Sequence, residues 1–112
     1  MTGAAKAKGD HAEREFCAKT SDLLGVELRR KLGAGRLDDV GDVDGLPNWT
    51  IQCAWWPNRG ILQAFRHKPL ECERQQRNAG TTFGASAIRM NGGLWVMAQT
   101  PEQWATVVRE LS

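Results

Sequence analysis

The sequence is poor in residue types that define several protein classes. Its 112 residues include no tyrosine, two histidines and three cysteines, Cys17, Cys53 and Cys72, which form no C-x-x-C pair. With so few sulfur and imidazole ligands, neither a disulfide-stapled miniprotein nor a structural zinc site is expected. Three widely spaced cysteines instead predict reduced, buried thiols in a cytosol-type compartment.

Long apolar runs are also absent, so we expect neither a membrane span nor a secretory signal. Apolar residues make up 41% of the chain and charged residues 25%, close to the averages for globular proteins. A chain of this length forms one hydrophobic core. We therefore expect a soluble intracellular protein with a flexible basic arm over residues 1–9 and a single α/β domain over residues 10–112.

The net charge of +2 conceals a partition along the chain. Residues 1–36 contain eight basic and five acidic side chains, and residues 59–112 contain seven basic and four acidic ones. Residues 37–58 contain four aspartates and no basic residue. A basic surface around an acidic pocket is typical of metal-dependent nucleases, so the partition favours nucleic acid as a partner.

Hydrophobic periodicity predicts the order α-β-β-β-α-β-β-α, and hence a mixed central sheet flanked by helices. A first helix is expected from Asp10 to a stop at Gly25, followed by a half-buried strand over residues 26–32. A further strand is expected over residues 49–56. Its two faces carry Ile51, Cys53 and Trp55 on one side, and Thr50, Gln52 and Ala54 with Trp56 on the other.

The second half of the chain contains strong stop and turn signals. A helix from Ile61 is expected to kink at Pro69 or to restart there, because an interior proline removes a hydrogen bond. Asn91-Gly92-Gly93 predicts a hairpin, and Thr100 with Gln103 predicts a capping box for a closing helix. The apolar stripes expected on the first and last helices are Ala12, Phe16, Cys17, Leu23 and Leu24, and Trp104, Val107, Val108 and Leu111.

Four aspartates, Asp38, Asp39, Asp42 and Asp44, lie within seven positions. One explanation is an exposed turn, in which aspartate and glycine are common. The other is a site for Mg²⁺, which needs only one or two carboxylates when water and substrate phosphate oxygens complete its shell.

The chain resembles the PD-(D/E)XK nuclease fold, and within it the archaeal- and phage-type Holliday-junction resolvases. The residues that carry this resemblance are Glu13 in the first helix, a basic strand with Arg30, and Gly41-Asp42-Val43 before a hydrophobic strand. The resemblance implies a restriction-endonuclease-like core over residues 9–111. It also implies that Glu13 and Asp42 bind the metal and contribute to catalysis.

The third element of the family pattern is altered. Gln52-Cys53-Ala54 stands where the family has Glu-x-Lys, so Gln52 is a vestigial catalytic candidate and the lysine is missing. Losing a cation that stabilises transition-state charge costs on the order of 10²–10³ in rate, so lost or weak hydrolysis is expected. The alternative is an active Mg²⁺-dependent endonuclease whose catalytic side chain has migrated to the next helix. The candidates there are Glu71, Glu73, Arg74 and Gln75.

Two binding roles are compatible with these features. Basic side chains that would line a groove for DNA or for a protein partner are Arg29, Arg30, Lys31, Arg36, Lys68, Arg74 and Arg77. Resolvase-like open reading frames with a similar closing T-P-E-Q helix occur among head and tail genes of actinobacterial phages. The resemblance therefore also implies an adaptor in a virion, at the head–tail region, as the rival to a DNA-binding protein of the host cytoplasm. We expect a homo-oligomer in either case.

Overall fold

The structure, a computed structural model, describes residues 3–31 and 39–112. It is a mixed α/β protein with three helices and five strands among these residues, in the chain order that the periodicity predicts. The elements are α1 (Gly3–Leu24), β1 (Arg29–Arg30), β2 (Val43–Asp44), β3 (Trp49–Trp55), α2 (Ile61–Ala79), β4 (Phe83–Arg89), β5 (Trp95–Ala98) and α3 (Pro101–Leu111).

The described strands form two sheets, whereas the sequence predicted one central sheet. β1 pairs antiparallel with β2. In the larger sheet, with the order β3-β4-β5, β3 is parallel to β4 and β4 is antiparallel to β5. Asp42 links the sheets through its backbone, because its N–H donates to the Ile51 carbonyl at 2.8 Å and its carbonyl accepts from the Lys31 N–H at 2.8 Å. β1 and β2 are each only two residues long, so the small sheet does not extend to Asp42.

Helices cover both faces of the larger sheet. On one face, Phe16 and Cys17 of α1 form the main core with Ile51, Ala85 and Ala87. On the other face, α2 contacts β3 and β4. The alternation of β3 therefore directs its odd-numbered side chains to α1 and its even-numbered ones to α2, as the strand pattern predicts. None of the helices over the described residues is long and apolar enough to cross a membrane.

The first half of the chain differs from the predicted boundaries. α1 begins at Gly3, so it includes most of the segment for which a flexible arm was predicted. Of the strand predicted over residues 26–32, the part that the structure describes, up to residue 31, contains a strand at Arg29–Arg30, and Val26 is exposed. The Ser21 hydroxyl accepts a hydrogen bond from the Leu28 N–H at 2.8 Å. This hydrogen bond holds Leu28 against the end of α1, so few of the following residues remain to form a strand.

The prediction that a second helix starts at Pro69 is wrong. α2 continues through Pro69, which is buried within the helix. Ala64 and Cys72, before and after it, are completely buried. Packing of this face against the sheet therefore compensates for the hydrogen bond that proline cannot donate.

The turns and caps agree with the sequence signals. Gly80 ends α2 in the left-handed conformation, and Gly92 and Gly93 have positive φ between β4 and β5. Thr100 and Gln103 form the predicted capping box at α3. The three cysteines are free; Cys17 and Cys72 are buried, and Cys53 is only half-buried.

The apolar stripes of α1 and α3 are only partly used in the core. Leu23 and Leu24 of α1 are exposed, and so are Trp104, Val108 and Leu111 of α3. α3 instead directs Gln103 inward. The capping box and a hydrogen bond from Gln103 Nε2 to Gln76 Oε1 at 3.1 Å fix this orientation. The predicted apolar face of α3 therefore points away from the sheet.

Candidate active site at the edge of β3

Asp42 lies against the free edge of β3. Its Oδ2 accepts a hydrogen bond from the Cys53 N–H at 2.7 Å. The preceding Gly41 permits this approach: it has φ 94°, and a Cβ there would lie 2.8 Å from Thr50 Cγ2 and 3.1 Å from the Ile51 carbonyl oxygen. Only glycine tolerates both that backbone conformation and that space. Gly41 thus brings the Asp42 carboxylate to the centre of the strand.

The carboxyl group of Asp42 is held in an unfavourable environment for a charge. The pKa of Asp42 is raised from 3.8 to about 6, mainly by burial; the negative charges of Glu13 and Asp39 contribute to the increase, whereas the Cys53 N–H and Lys68 act in the opposite direction. A carboxyl group with a pKa near neutrality can exchange a proton under physiological conditions. Strongly perturbed pKa values are frequent at functional sites.

Glu13 is near Asp42 but is already paired. Its Oε1 accepts a hydrogen bond from Arg30 Nε at 3.1 Å, and Arg30 Nη2 also contacts Asp10 Oδ1 at 2.8 Å. The hydrogen bond with Glu13 raises the pKa of Arg30. Glu13 is therefore close enough for its charge to raise the pKa of Asp42, while Arg30 compensates the charges of Glu13 and Asp10.

Gln52 is buried on the α2 side of β3. Its Nε2 donates to Glu71 Oε2 at 3.3 Å, and its Oε1 accepts from the Ser86 hydroxyl at 3.4 Å. A glutamine amide can satisfy both neighbours, because it offers a donor and an acceptor at once. A glutamate at this position would lie against the Glu71 carboxylate, so the chemistry of residues 52 and 71 is coupled.

Of the four residues suggested for a migrated function, Glu71 reaches the position of the altered motif. It also pairs with Lys68 Nζ at 3.0 Å. Burial by itself would raise the pKa of Glu71, but the hydrogen bond and charge of Lys68, together with the Gln52 hydrogen bond and the charge of Arg74, outweigh it and the pKa is lowered. Lys68 Nζ lies 5.6 Å from the centre of the Trp56 ring. A carboxylate and a cation on α2 thus stand beside the strand that lacks Glu-x-Lys.

Among the described residues, none of the other migration candidates hydrogen-bonds to Gln52. Glu73 accepts a hydrogen bond from the Thr100 hydroxyl at 3.2 Å, and Gln75 Nε2 donates to Asp39 Oδ2 at 2.7 Å. Arg74 is exposed, but its charge helps to lower the pKa of Glu71. Lys68 was considered from the sequence only as a surface contact for a partner. Its spacing of three residues from Glu71 on one helix is the sequence signal that could have predicted their ion pair.

The basic residues expected to bind a partner fall into two groups. Arg29, Arg74 and Arg77 are exposed. Arg30, Lys31 and Lys68 are less exposed and pair with acidic side chains; Lys31 Nζ lies 3.6 Å from Asp44 Oδ1. Arg36 and Asp38 lie outside the described residues.

A hard cation at this edge would have Asp42 as its main protein ligand. Within residues 3–31 and 39–112, no three His, Cys, Asp or Glu side chains lie close enough together to hold a metal ion. Mg²⁺ binds through one or two carboxylates with water and phosphate oxygens in the remaining positions. Asp42 would be the ligand, and its proton would have to leave because only the carboxylate binds a metal.

The cysteines of this region do not add a nucleophile. Burial raises the pKa of Cys53 far above its usual range, and the nearby Asp42 and Glu13 raise it further. Burial likewise raises the pKa of Cys17. Because the thiolate is the reactive form, both thiols serve as small apolar groups.

Comparison of the chain with protein-family models, with curated proteins and with solved structures finds no match. The class defined by the structure is a mixed α/β protein with a three-stranded mixed sheet between helices and a half-buried acidic site at its edge.

Proposed function

We propose that the chain is a resolvase-like protein of the PD-(D/E)XK nuclease fold that binds DNA at the acidic pocket around Asp42. The observation that carries this proposal is the position of the Asp42 carboxylate, bonded to the backbone of β3 beside Gln52 and close to Glu13. These are the three positions at which the family places its metal-binding and catalytic side chains.

The arrangement of elements supports the same proposal. A parallel β3–β4 pair is joined through α2, and helices lie on both faces of the mixed sheet. Such a three-layer core is what the restriction-endonuclease-like resemblance implies. The exposed Arg74 lies on α2 near Glu71, where it would contact a backbone phosphate that approaches the pocket.

A specific contact also favours a second candidate, an active endonuclease with relocated residues. Glu71 and Lys68 place a carboxylate and an ammonium group next to Gln52. A metal at Asp42 would activate water and polarise the phosphate. In this candidate, Lys68 stabilises the charge that develops on the phosphate oxygens, and Glu71 orients Lys68.

Fluorescence anisotropy with four-way junction and linear duplex DNA tests the binding proposal. We expect binding that weakens steeply with salt, and Arg74→Ala should reduce the slope of log affinity against log salt by about one unit. Arg109→Ala, in the last turn of α3, is the matched control and should not change it. Absence of binding to either DNA at low salt would refute the proposal and favour the virion adaptor.

The same substrates with Mg²⁺ or Mn²⁺ test the relocated site. If Glu71 and Lys68 replace the missing motif, nicking occurs with the parent protein and is lost in Asp42→Asn and Lys68→Met. Glu102→Gln, an exposed carboxylate of α3, should retain it. Binding without any metal-dependent nicking would reject the second candidate and leave the first.

A further inference from the structure

Gln75 is a buried polar residue of α2. It is only 3% exposed, and its Nε2 donates to Asp39 Oδ2 at 2.7 Å. Its Oε1 is buried and accepts no hydrogen bond from the described residues. A buried acceptor without a partner destabilises a fold, so an apolar side chain of similar length would occupy this space at a lower cost. Packing alone therefore does not account for a glutamine at this position, whereas its contact with Asp39 does.

The contact between Gln75 and Asp39 is part of a chain of hydrogen bonds that leads to Gly41. Asp39 Oδ1 accepts a hydrogen bond from the Gly41 N–H at 3.2 Å, so the two carboxylate oxygens of Asp39 join Gln75 to the backbone of residue 41. Three residues further along α2, Asn78 Nδ2 donates to the Asp39 carbonyl at 2.9 Å. α2 therefore holds both the side chain and the backbone of Asp39.

Gly41 determines where the Asp42 carboxyl group lies. Its φ is 94°, a value that glycine adopts readily but does not favour by itself over its other conformations. The next residue is bonded to β3 through its N–H, which donates to the Ile51 carbonyl, and through Oδ2, which accepts from the Cys53 N–H. Contacts from outside must restrict a residue as free as glycine, and the carboxylate of Asp39 supplies one of them.

One oxygen of the Asp42 carboxyl group is left for a ligand. Oδ2 is taken by the Cys53 N–H, whereas no hydrogen bond from the described residues reaches Oδ1. A carboxyl group that is held by one oxygen presents the other in a defined direction. Such support from neighbouring residues is what a binding site requires, because a loosely held ligand side chain binds more weakly.

We propose that Gln75 is a positioning residue of the site, which holds Gly41 through the carboxylate of Asp39 and thereby directs the carboxyl group of Asp42. Gln75 itself contacts no ligand in this role. Because Asp42 is taken as the residue that meets the ligand, the assignment rests on the proposed function. The direction of its carboxyl group can nevertheless be measured on the protein alone, without DNA or metal.

The backbone amide of Cys53 reports whether the Asp42 carboxyl group is in place, and hydrogen exchange followed by NMR measures its protection. Gln75→Met keeps the length of the side chain and removes the donor to Asp39. We expect exchange at Cys53 to rise at least about threefold, while the amides that pair β4 with β5 keep their rates. Gln63→Met is the matched control, because Gln63 is an exposed glutamine of the same helix and bonds to His67 instead.

Asp39→Ala provides a second route to the same measurement. Asp39 is exposed, so its replacement leaves the core intact, and it removes the link between Gln75 and Gly41. Circular dichroism of each variant shows whether it is folded. Protection of Cys53 that is unchanged in Asp39→Ala, or that falls equally in Gln63→Met, would overturn the proposal.

A paired substitution separates positioning from packing. In Gln75→Glu two carboxylates face each other, and exchange at Cys53 should rise. Adding Asp39→Asn reverses donor and acceptor: the new amide can donate to the carboxylate at position 75, while its oxygen still accepts from the Gly41 N–H. We expect this double variant to recover the protection of the parent protein. A double variant that exchanges as fast as Gln75→Glu alone would overturn the proposal.

The outcome for DNA distinguishes the two proposals. If the parent protein binds neither junction nor duplex DNA at low salt, but Cys53 loses protection in Gln75→Met and recovers it in the double variant, the DNA-binding function fails and the positioning role of Gln75 stands. If the parent protein binds DNA and Cys53 is protected equally in every variant, the positioning role fails and the DNA-binding function stands.

Discussion

Replacing Asp42 by asparagine is expected to stabilise the folded protein at neutral pH. The carboxyl pKa is 3.8 in an unperturbed chain and about 6 in the folded protein. A group whose pKa is raised on folding favours the folded state fully below the unfolded pKa, and this contribution is lost as the pH rises through the folded pKa. The Asp42 contribution is therefore present at pH 4 and lost above about pH 6.

The magnitude follows from the difference in pKa. Two units at about 1.4 kcal/mol each correspond to about 3 kcal/mol between pH 4 and pH 7.5. Asparagine removes this pH dependence, and its Oδ1 can still accept the hydrogen bond of the Cys53 N–H. Asp42→Asn should therefore be stabilising by about 2–3 kcal/mol at pH 7.5 and nearly neutral at pH 4.

Urea unfolding of the parent and the variant at pH 4 and pH 7.5 measures this difference directly. Asp44→Asn is the control, because Asp44 is an exposed carboxylate on the adjoining strand β2. A stabilisation by Asp42→Asn that is equal at both pH values, or a loss of stability at pH 7.5, would refute the burial argument. Carbon-detected NMR titration of the carboxyl group provides an independent check, with a midpoint expected near pH 6.

Two further stability predictions concern the backbone around the site and at α3. Thr100→Ala removes the side-chain acceptor for the Gln103 N–H and should lower the free energy of unfolding by about 1 kcal/mol in thermal or urea denaturation; an unchanged value would show that the cap contributes nothing. Gly41→Ala combines a φ of 94° with a Cβ 2.8 Å from Thr50 Cγ2, so it should cost more than about 2 kcal/mol. Gly9→Ala is the control for it, since that helical glycine has open space around it and alanine should stabilise by about 0.5–1 kcal/mol.

The local features of the fold could be predicted from the sequence because their causes lie within a few residues. The capping box at Thr100, the glycine stop at Gly80 and the Gly92-Gly93 turn each depend on side chains or φ values in one short segment. The order of helices and strands follows from them and from the periodicity of the apolar residues. The alternation of β3 also predicted correctly that Ile51 and Cys53 share one face and Thr50 and Gln52 the other.

Part of the candidate site could be predicted in the same way and part could not. Glu13, Asp42 and Gln52 were singled out from the resemblance; in the structure Asp42 contacts the backbone of β3, Glu13 pairs with Arg30 from α1, and Gln52 points to α2 on the other face of the sheet. The pairing of Glu71 with Lys68 beside Gln52 needs the angle and register at which α2 packs on the sheet. Sequence spacing shows that two residues share a helix face, but not which strand that face meets.

The charge pattern and the apolar stripes were determined by the sequence alone, while the tertiary structure decided what they are used for. The acidic segment became a half-buried carboxyl group with a raised pKa only because Gly41 lets Asp42 approach the edge of β3. The stripe of α3 was correctly recognised as apolar, yet the buried Gln103 turned it outward beside β5. Burial depends on contacts between segments that are distant along the chain, and such contacts exist only once the fold has formed.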